Sequence, residues 1–304
     1  MSEWIEVSSF VRDALSARRP VVALETTVVT HGLPHPQGLE LAAELEQVVM
    51  EAGAVPATVG VLDGKLRIGL DLDELHRLAT SADIAKLNLG NLAAQLARSR
   101  AGSTTVAATM FAAWQAGIPV MATGGIGGVH RGVESSDDVS ADLTALARFP
   151  VAVVCSGAKA VLDLPRTLER LETLGVPVYG HGSDEFPAFW RRTSGLKVDA
   201  RFDTAETMAV AVLTHLGLGL GSGVVVANPV PEADEMPGKT YDKALAQALK
   251  DAEKRKLAGR EVTPFLLERM RELSGGASVT ANLALLRANA KLAASLAAAM
   301  ARRG

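Results

Sequence analysis

Short valine-rich apolar runs alternate along this chain with longer stretches whose apolar positions recur at helical spacing. The first pattern predicts buried strands and the second amphipathic helices. "VVALETTVV" (21–29) reads as a strand. "PQGLELAAELEQVVMEAG" reads as the helix after it, opened near Pro36 and closed by Gly53. In "ATVGVLDGKLRIGL" two β-like runs flank Asp63-Gly64, a pair suited to a tight hairpin turn. "AKLNLG", "IPVMATGG", "VAVVCSG", "VPVYG" and "SGVVVANPV" supply further strands. "DELHRLA", "STTVAATMFAAWQAG", "SADLTALARF", "LPRTLERLETLG" and "AETMAVAVLTHLGLG" supply further helices. From about residue 238 the pattern is helical, through "DKALAQALKDAEKRKLAGRE" to a closing Ala/Leu segment. Strands separated by helices predict a layered α/β/α single domain over residues 1–304. Its central sheet is expected to be mixed and largely parallel, with the hairpin adding an antiparallel pair and the C-terminal helices packed on the same domain.

Composition narrows the class without changing it. The chain has 304 residues, 48% hydrophobic and 21% charged, as in ordinary globular proteins. A net charge of −3 argues against a nucleic-acid footprint or a basic membrane patch, but leaves room for a phosphorylated substrate held by a few local donors. Cys155 is the single cysteine, so no internal disulfide or cysteine-rich zinc site is available. "MSEWIEVSSF" has neither a basic region nor an apolar one, so no secretory signal is expected, and a reducing, cytoplasmic setting follows. No membrane span is expected either, because Arg287, Asn289 and Lys291 interrupt the Ala-rich tail.

In open α/β sheets ligands gather where strands end, so the loops after 21–29, 118–123 and 151–155 come first. "VAVVCSGAK" places Lys159 just past a strand, after a Gly157 turn. Burial there would disfavour the ammonium, and a lysine tuned to about 7–8 attacks a carbonyl as a neutral amine. The plain alternative is a lysine snorkelling from the sheet edge. Glu25 stands inside the apolar 21–29 run. It is either an acid–base group with a raised pKa or half of a structural ion pair. Lys86 precedes a turn in "KLNLGN", and Ser103, Thr104 and Thr105 open the "STTVAAT" helix, where hydroxyls and free N–H groups suit a phosphate or simply cap the helix.

The glycines of "ATGGIGGVHRG" fail the spacing of a dinucleotide loop, since the third glycine would fall at His130. Gly124 to Gly128 therefore read as a loop hugging a ligand or another backbone segment. Asp137, Asp138 and Asp142 either favour a helix dipole or offer oxygen to a hard cation such as Mn²⁺ or Mg²⁺. His31 and His35 are four apart, but no Glu follows His31 and Pro34 intervenes, which excludes a zinc-protease helix.

Eight segments occur in order: "ALETTVVTHGLPHPQGLELA", "PATVGVLDGKLRIGL", "KLNLGNL", "STTVAATM", "ATGGIGGVHRG", "DVSADL", "CSGAKAVLDLP" and "NPVPEADEMP". Together they resemble the pseudouridine-5′-phosphate glycosidase family, the indigoidine-synthase-A-like group, from about residue 7 to residue 295. The resemblance implies reversible cleavage of the C–C bond between uracil and ribose 5-phosphate, a glycosidase activity also classed as a lyase. It implies Lys159 as the Schiff-base nucleophile and Glu25 as acid and base. It places the ribose phosphate on Lys86, the segment around Val106 with Thr105, and Ser140, Ala141 and Asp142. It assigns Mn²⁺, or another divalent cation, to Asp138, adds His130 and Asn282 to the pocket, and implies a homotrimer.

Two other readings compete. A class I aldolase-like lyase acting on another phosphosugar would also use a Schiff-base lysine. A sugar-phosphate-binding regulatory protein would bind without turnover, and would leave Glu25 and Lys159 without a purpose.

Overall fold

Runs of valine with no polar alternation are buried on both faces, as strands are in a parallel sheet covered by helices on each side. β2 (Val21–Leu24), β8 (Ala152–Cys155) and β11 (Val224–Ala227) are buried at every position. With β7 (Val120–Ala122) they form the parallel centre, in the order β2-β7-β8-β11. The computed structural model describes residues 2–32, 36–81, 83–255, 257 and 262–303, and among these the sheet has eleven strands. Pro34 and His35 lie outside the described residues.

Beyond β2 lie β3 (Val55–Leu62), β4 (Lys65–Ile68) and β1 (Ile5–Val7). β3 and β4 form the expected antiparallel hairpin, with Asp63 and Gly64 at φ 52° and 74°, both positive as its tight turn requires. On the other side β9 (Val178–His181) and β10 (Ala200–Phe202) continue the parallel order. β5 (Ala85–Leu87) and β6 (Gly102–Thr104) form a branch that joins β3 through β6.

The first helices are α1 (Ser9–Ser16), α2 (Gln37–Glu51), α3 (Leu72–Thr80), α4 (Leu92–Ala97), α5 (Val106–Ala116) and α6 (Val133–Ser136). They are followed by α7 (Ala141–Leu146), α8 (Leu164–Thr173), α9 (Ala205–Gly217), α10 (Gly238–Lys254), α11 (Val262–Leu273) and α12 (Ala277–Ala301). α5 packs on β2 and β7 beside α7, while α12 lies across β2, β7 and β8 between α2 and α9. α12 has the length and hydropathy of a membrane helix, yet 67% of its most apolar window is buried inside this fold, so it is a core helix here.

The layered architecture with a mixed, mostly parallel sheet matches the expectation. Two details correct it. The run 21–29 is not one strand: β2 ends at Leu24, and residues Val28–Gly32 form a π-helical turn. Thr26 Oγ1 donates to the Val59 carbonyl at 2.7 Å and Thr27 Oγ1 to the Thr104 carbonyl at 2.8 Å, which draws the chain across the sheet edge. These threonines therefore do more than favour extended backbone. Ser103 and Thr104 do not open α5. They belong to β6, where Thr104 Oγ1 donates to the Val59 carbonyl at 2.8 Å.

Candidate active site

The chain runs from β2 to β3 on one side of the sheet and from β7 to β8 on the other, so β2 and β7 flank a switch in strand order. A crevice opens at the carboxyl ends of the strands at such a point. Glu25 is the first residue beyond β2 and Thr123 the first beyond β7. Leu24 and Ala122 pair across the ladder, so the next residue of each strand meets the other. The Thr123 hydroxyl donates to Glu25 Oε1. Burial raises the pKa of Glu25. The Lys159 ammonium, the Thr123 hydrogen bond and Lys86 pull it down, and Asp142 pushes it up.

Lys159 follows β8 through the turn Ser156-Gly157-Ala158. Gly157 has φ 82°, and a Cβ there would lie 2.2 Å from the Pro187 carbonyl oxygen, so only glycine fits. Lys159 N–H donates to the Ile126 carbonyl and Ile126 N–H to the Gly157 carbonyl, each at 3.0 Å. The glycine-rich loop is thereby locked to the lysine's turn by backbone hydrogen bonds, while its glycines make room for side chains: the Phe189 ring at Gly125, Ser140 at Gly127 and Thr167 at Gly128. Lys159 is half-buried rather than sealed.

Both groups face one cavity of about 980 Å³, together with Lys86 and Asn282. This is the geometry a lysine–glutamate pair must have to act on one substrate. Lys86 opens to solvent through the cavity, yet burial and the like charge of Lys159 push its pKa down, against Glu25 and Asp142. His31 also lines the cavity, with Nδ1 2.6 Å from Thr30 Oγ1 and 3.3 Å from Ser103 Oγ. Burial, then Lys86, lower its pKa, and a backbone hydrogen bond at Ile84 opposes them. Phe189 and Trp190, with ring centroids 5.1 Å apart, give the cavity an aromatic side suited to a planar ring.

The other candidates stand behind these walls. Asp142 is buried with both oxygens engaged: Oδ1 accepts from Ala107 N–H at 3.0 Å and Oδ2 from Gly127 N–H at 2.7 Å. A Cβ on Gly127 would lie 2.1 Å from Ser140 Oγ, so this contact needs glycine. Asp142 thus ties the start of α5 to the glycine loop; leaving those amides unmade would cost about 1–3 kcal/mol each. Ser140 caps α7, accepting from Asp142 N–H at 3.2 Å, and Ala141 is the first residue of that helix. Val106 begins α5 and is buried. Thr105 occupies the cap position without a side-chain cap bond, and its buried Oγ1 has no partner among the described residues.

His130 Nδ1 lies 3.7 Å from Asp138 Oδ2. Burial lowers the pKa of His130, Asp138 opposes, and the charges of Lys159 and Lys86 add to the lowering. No group of three or more His, Cys, Asp or Glu side chains that could cage a metal occurs among the described residues. A cation at Asp138 would find one carboxylate and the His130 ring from the protein, so water would have to complete its shell.

An acid and an amine turned onto one cavity at the switch point of a parallel sheet have the placement expected of an enzyme's reacting groups. The chain belongs to the indigoidine synthase A-like family, whose description "Indigoidine synthase A like protein" matches residues 10–299. It is 56% identical over 290 residues to a pseudouridine-5′-phosphate glycosidase of Methylobacterium nodulans, covering 95% of this chain and 86% of the relative. It is 52% identical over 303 residues to that of Paracoccus denitrificans, covering 99% and 100%. Two solved structures share the fold over nearly the whole chain. The prealnumycin C-glycosynthase AlnA, in complex with ribulose 5-phosphate, has a TM-score of 0.93 at 37% identity, covering 100% of this chain and 99% of that one. An indigoidine synthase A-like protein of Thermotoga maritima has a TM-score of 0.88 at 36% identity, covering 98% and 97%.

Sequence reasoning missed Phe189 and Trp190, which lie in none of the eight segments, and passed over Thr123, which lies in "ATGGIGGVHRG" beside the glycines that drew attention. It treated Asn289 only as a break in an apolar tail. A better signal was present: Leu285, Asn289, Leu292 and Leu296 recur at helical spacing, so the amide had to lie on a buried face.

Proposed function

We propose that this chain reversibly cleaves the C–C glycosidic bond of pseudouridine 5′-phosphate, giving uracil and ribose 5-phosphate through an imine on Lys159. The observation that carries it is the shared cavity of Glu25 and Lys159, each placed by the end of its own parallel strand. The relatives' names support the same substrate, and the cavity lining offers lysines for a phosphate and aromatic rings for a planar base.

Uracil C5 is a poor leaving group, and a pair of glycosidase carboxylates would not help it depart. An amine does. Glu25 gives its proton to the ring oxygen O4′ as the C1′–O4′ bond breaks, and the Lys159 nitrogen bonds to C1′ and loses a proton to the Glu25 carboxylate. Glu25 then passes that proton to uracil C5. The nitrogen lone pair forms C1′=N while the electrons of the C1′–C5 bond pass into the uracil ring. Water adds to the iminium and ribose 5-phosphate leaves, freeing Lys159. Lys86, near the mouth, holds the phosphate, so binding energy far from C1′ orients the reacting carbon. Uracil rests against Phe189 and Trp190.

Release of free uracil from pseudouridine 5′-phosphate, followed by chromatography, is the test. Binding without release would favour a regulatory protein. Cleavage of a phosphosugar with no base attached would favour the aldolase-like reading.

Mn²⁺, or another divalent cation, fits at Asp138 beside His130. Held there through waters, such an ion would order polar groups around the substrate. Free Mn²⁺, read from its paramagnetic resonance signal, is expected to fall when wild-type protein is added and to fall far less with Asp138→Ala. Equal uptake by the two proteins would remove the assignment. The homotrimer and the cytoplasmic setting belong to the same proposal; light scattering of the purified protein reads the subunit number directly.

A further inference from the structure

Asn289 is a fully buried amide on the apolar helix α12. Burying such a group is unfavourable unless its donors and acceptor are satisfied. Here every partner lies just past the end of a central strand. Asn289 Nδ2 donates to the carbonyls of Thr123 at 2.8 Å and Gly124 at 3.4 Å, beyond β7. It also lies 3.2 Å from Ser156 Oγ, beyond β8. Its Oδ1 accepts from Asn228 Nδ2 at 3.0 Å, beyond β11, and from Ser156 Oγ at 3.4 Å.

Two of these partners lead directly to the reacting groups. Thr123 holds the Glu25 carboxyl through its own hydroxyl. Ser156 begins the turn that carries Lys159, and its carbonyl receives Phe189 N–H at 3.0 Å. The strand ends are linked to one another as well: Ser156 N–H donates to the Gly124 carbonyl at 2.9 Å and Asn228 N–H to the Cys155 carbonyl at 2.8 Å. A leucine at 289 would suit the helix face and would leave the Thr123 carbonyl and Asn228 amide without these bonds.

We propose that Asn289 is a positioning residue that fixes the holder of Glu25 and the turn of Lys159 relative to each other across the ends of β7, β8 and β11. This role rests on the lysine–glutamate reaction proposed above. Asn289 touches neither reacting group and acts through Thr123 and Ser156.

The consequence is specific. Loosening Thr123 weakens its hydrogen bond to Glu25, one of the contacts that hold that pKa down. The charged groups facing Glu25, namely Lys159, Lys86 and Asp142, remain. The pH limb belonging to Glu25 therefore moves upward in Asn289→Leu. A displacement of the pair by about 1 Å would lower kcat by about 10²-fold, with KM for pseudouridine 5′-phosphate nearly unchanged, because the phosphate contacts stay.

The experiment measures kcat, KM and the pH profile of uracil release for wild type, Asn289→Leu and Asn228→Ala, at a temperature well below each melting point. Asn228→Ala removes only the bond to Oδ1 and serves if the leucine variant does not fold. It is expected to show a smaller loss of kcat with the same direction of shift. Borohydride with ribose 5-phosphate gives a parallel reading, since trapping on Lys159 should slow in both variants. A lowered melting point with kcat and pH profile unchanged would overturn the positioning role and leave a structural one. A wild type that neither releases uracil nor traps the sugar would overturn the proposed reaction, and the role of Asn289 with it.

Discussion

Lys159→Ala is expected to lower kcat for uracil release by about 10⁵-fold or more, the scale seen when a covalent nucleophile is removed. The variant should still bind pseudouridine 5′-phosphate, because Lys86 and the walls of the cavity remain. Lys86 is also the competitor. It faces the same cavity, and burial and the charge of Lys159 push its pKa down, toward the neutral amine that attack requires. What separates the two is their support. Lys86 projects from the short edge branch β5, whereas Lys159 sits on a turn whose backbone is hydrogen-bonded to the glycine loop on both sides of Ala158. Covalent catalysis needs the second kind of placement and phosphate binding tolerates the first. Borohydride added during turnover should leave one reduced ribose 5-phosphate on the peptide containing Lys159. Lys86→Ala should mainly raise KM. An adduct on Lys86, or turnover by Lys159→Ala within about tenfold of wild type, would reverse the two roles.

The division between what the sequence disclosed and what it hid follows from which interactions are local. Strands β2, β8 and β11 were legible because burial on both faces leaves an unbroken apolar run. The hairpin at Asp63-Gly64 was legible because its turn needs positive φ at both residues. β1 and β10 have three residues each and are specified by the edges they join, to β4 and β9, rather than by their own pattern. The break after Leu24 is set by carbonyls of Val59 and Thr104, more than thirty residues away in the chain. The same reason separates the site residues. Glu25 and Lys159 betray themselves as charges in or beside apolar runs, and family motifs surround them. Thr123 and Asn289 are ordinary residue types whose importance lies in what they touch. Asp142 belongs to a motif, but its two oxygens are committed to Ala107 and Gly127 N–H groups, a fact no spacing could reveal.

Glu25→Gln carries two expectations that point in opposite directions, one for activity and one for stability. For activity, the amide fills the same space but cannot transfer a proton to O4′, so kcat should fall by about 10²–10⁴-fold. In the wild type the carboxyl must be protonated when the sugar ring opens. Burial holds its pKa above the ordinary carboxylate value, so activity persists past pH 4.5 and declines as pH rises through the raised pKa. That limb should vanish in the glutamine variant. For stability, a folded-state pKa raised above the unfolded value means the folded form holds its proton more tightly. The corresponding contribution is fully present below the unfolded pKa and is lost as pH rises through the folded one. At neutral pH the wild type must either hold a charge in this site or take up a proton to avoid it, because burial outweighs the attraction of Lys159 and the Thr123 hydrogen bond. The glutamine variant is free of that burden. Its melting temperature should exceed the wild type's at pH 7, and the gap should close below about pH 4, where both side chains are neutral. A glutamine variant that turns over normally would remove Glu25 from the proton chemistry. One that melts below the wild type at pH 7 would mean that Lys159 and Thr123 stabilise the carboxylate more than burial opposes it.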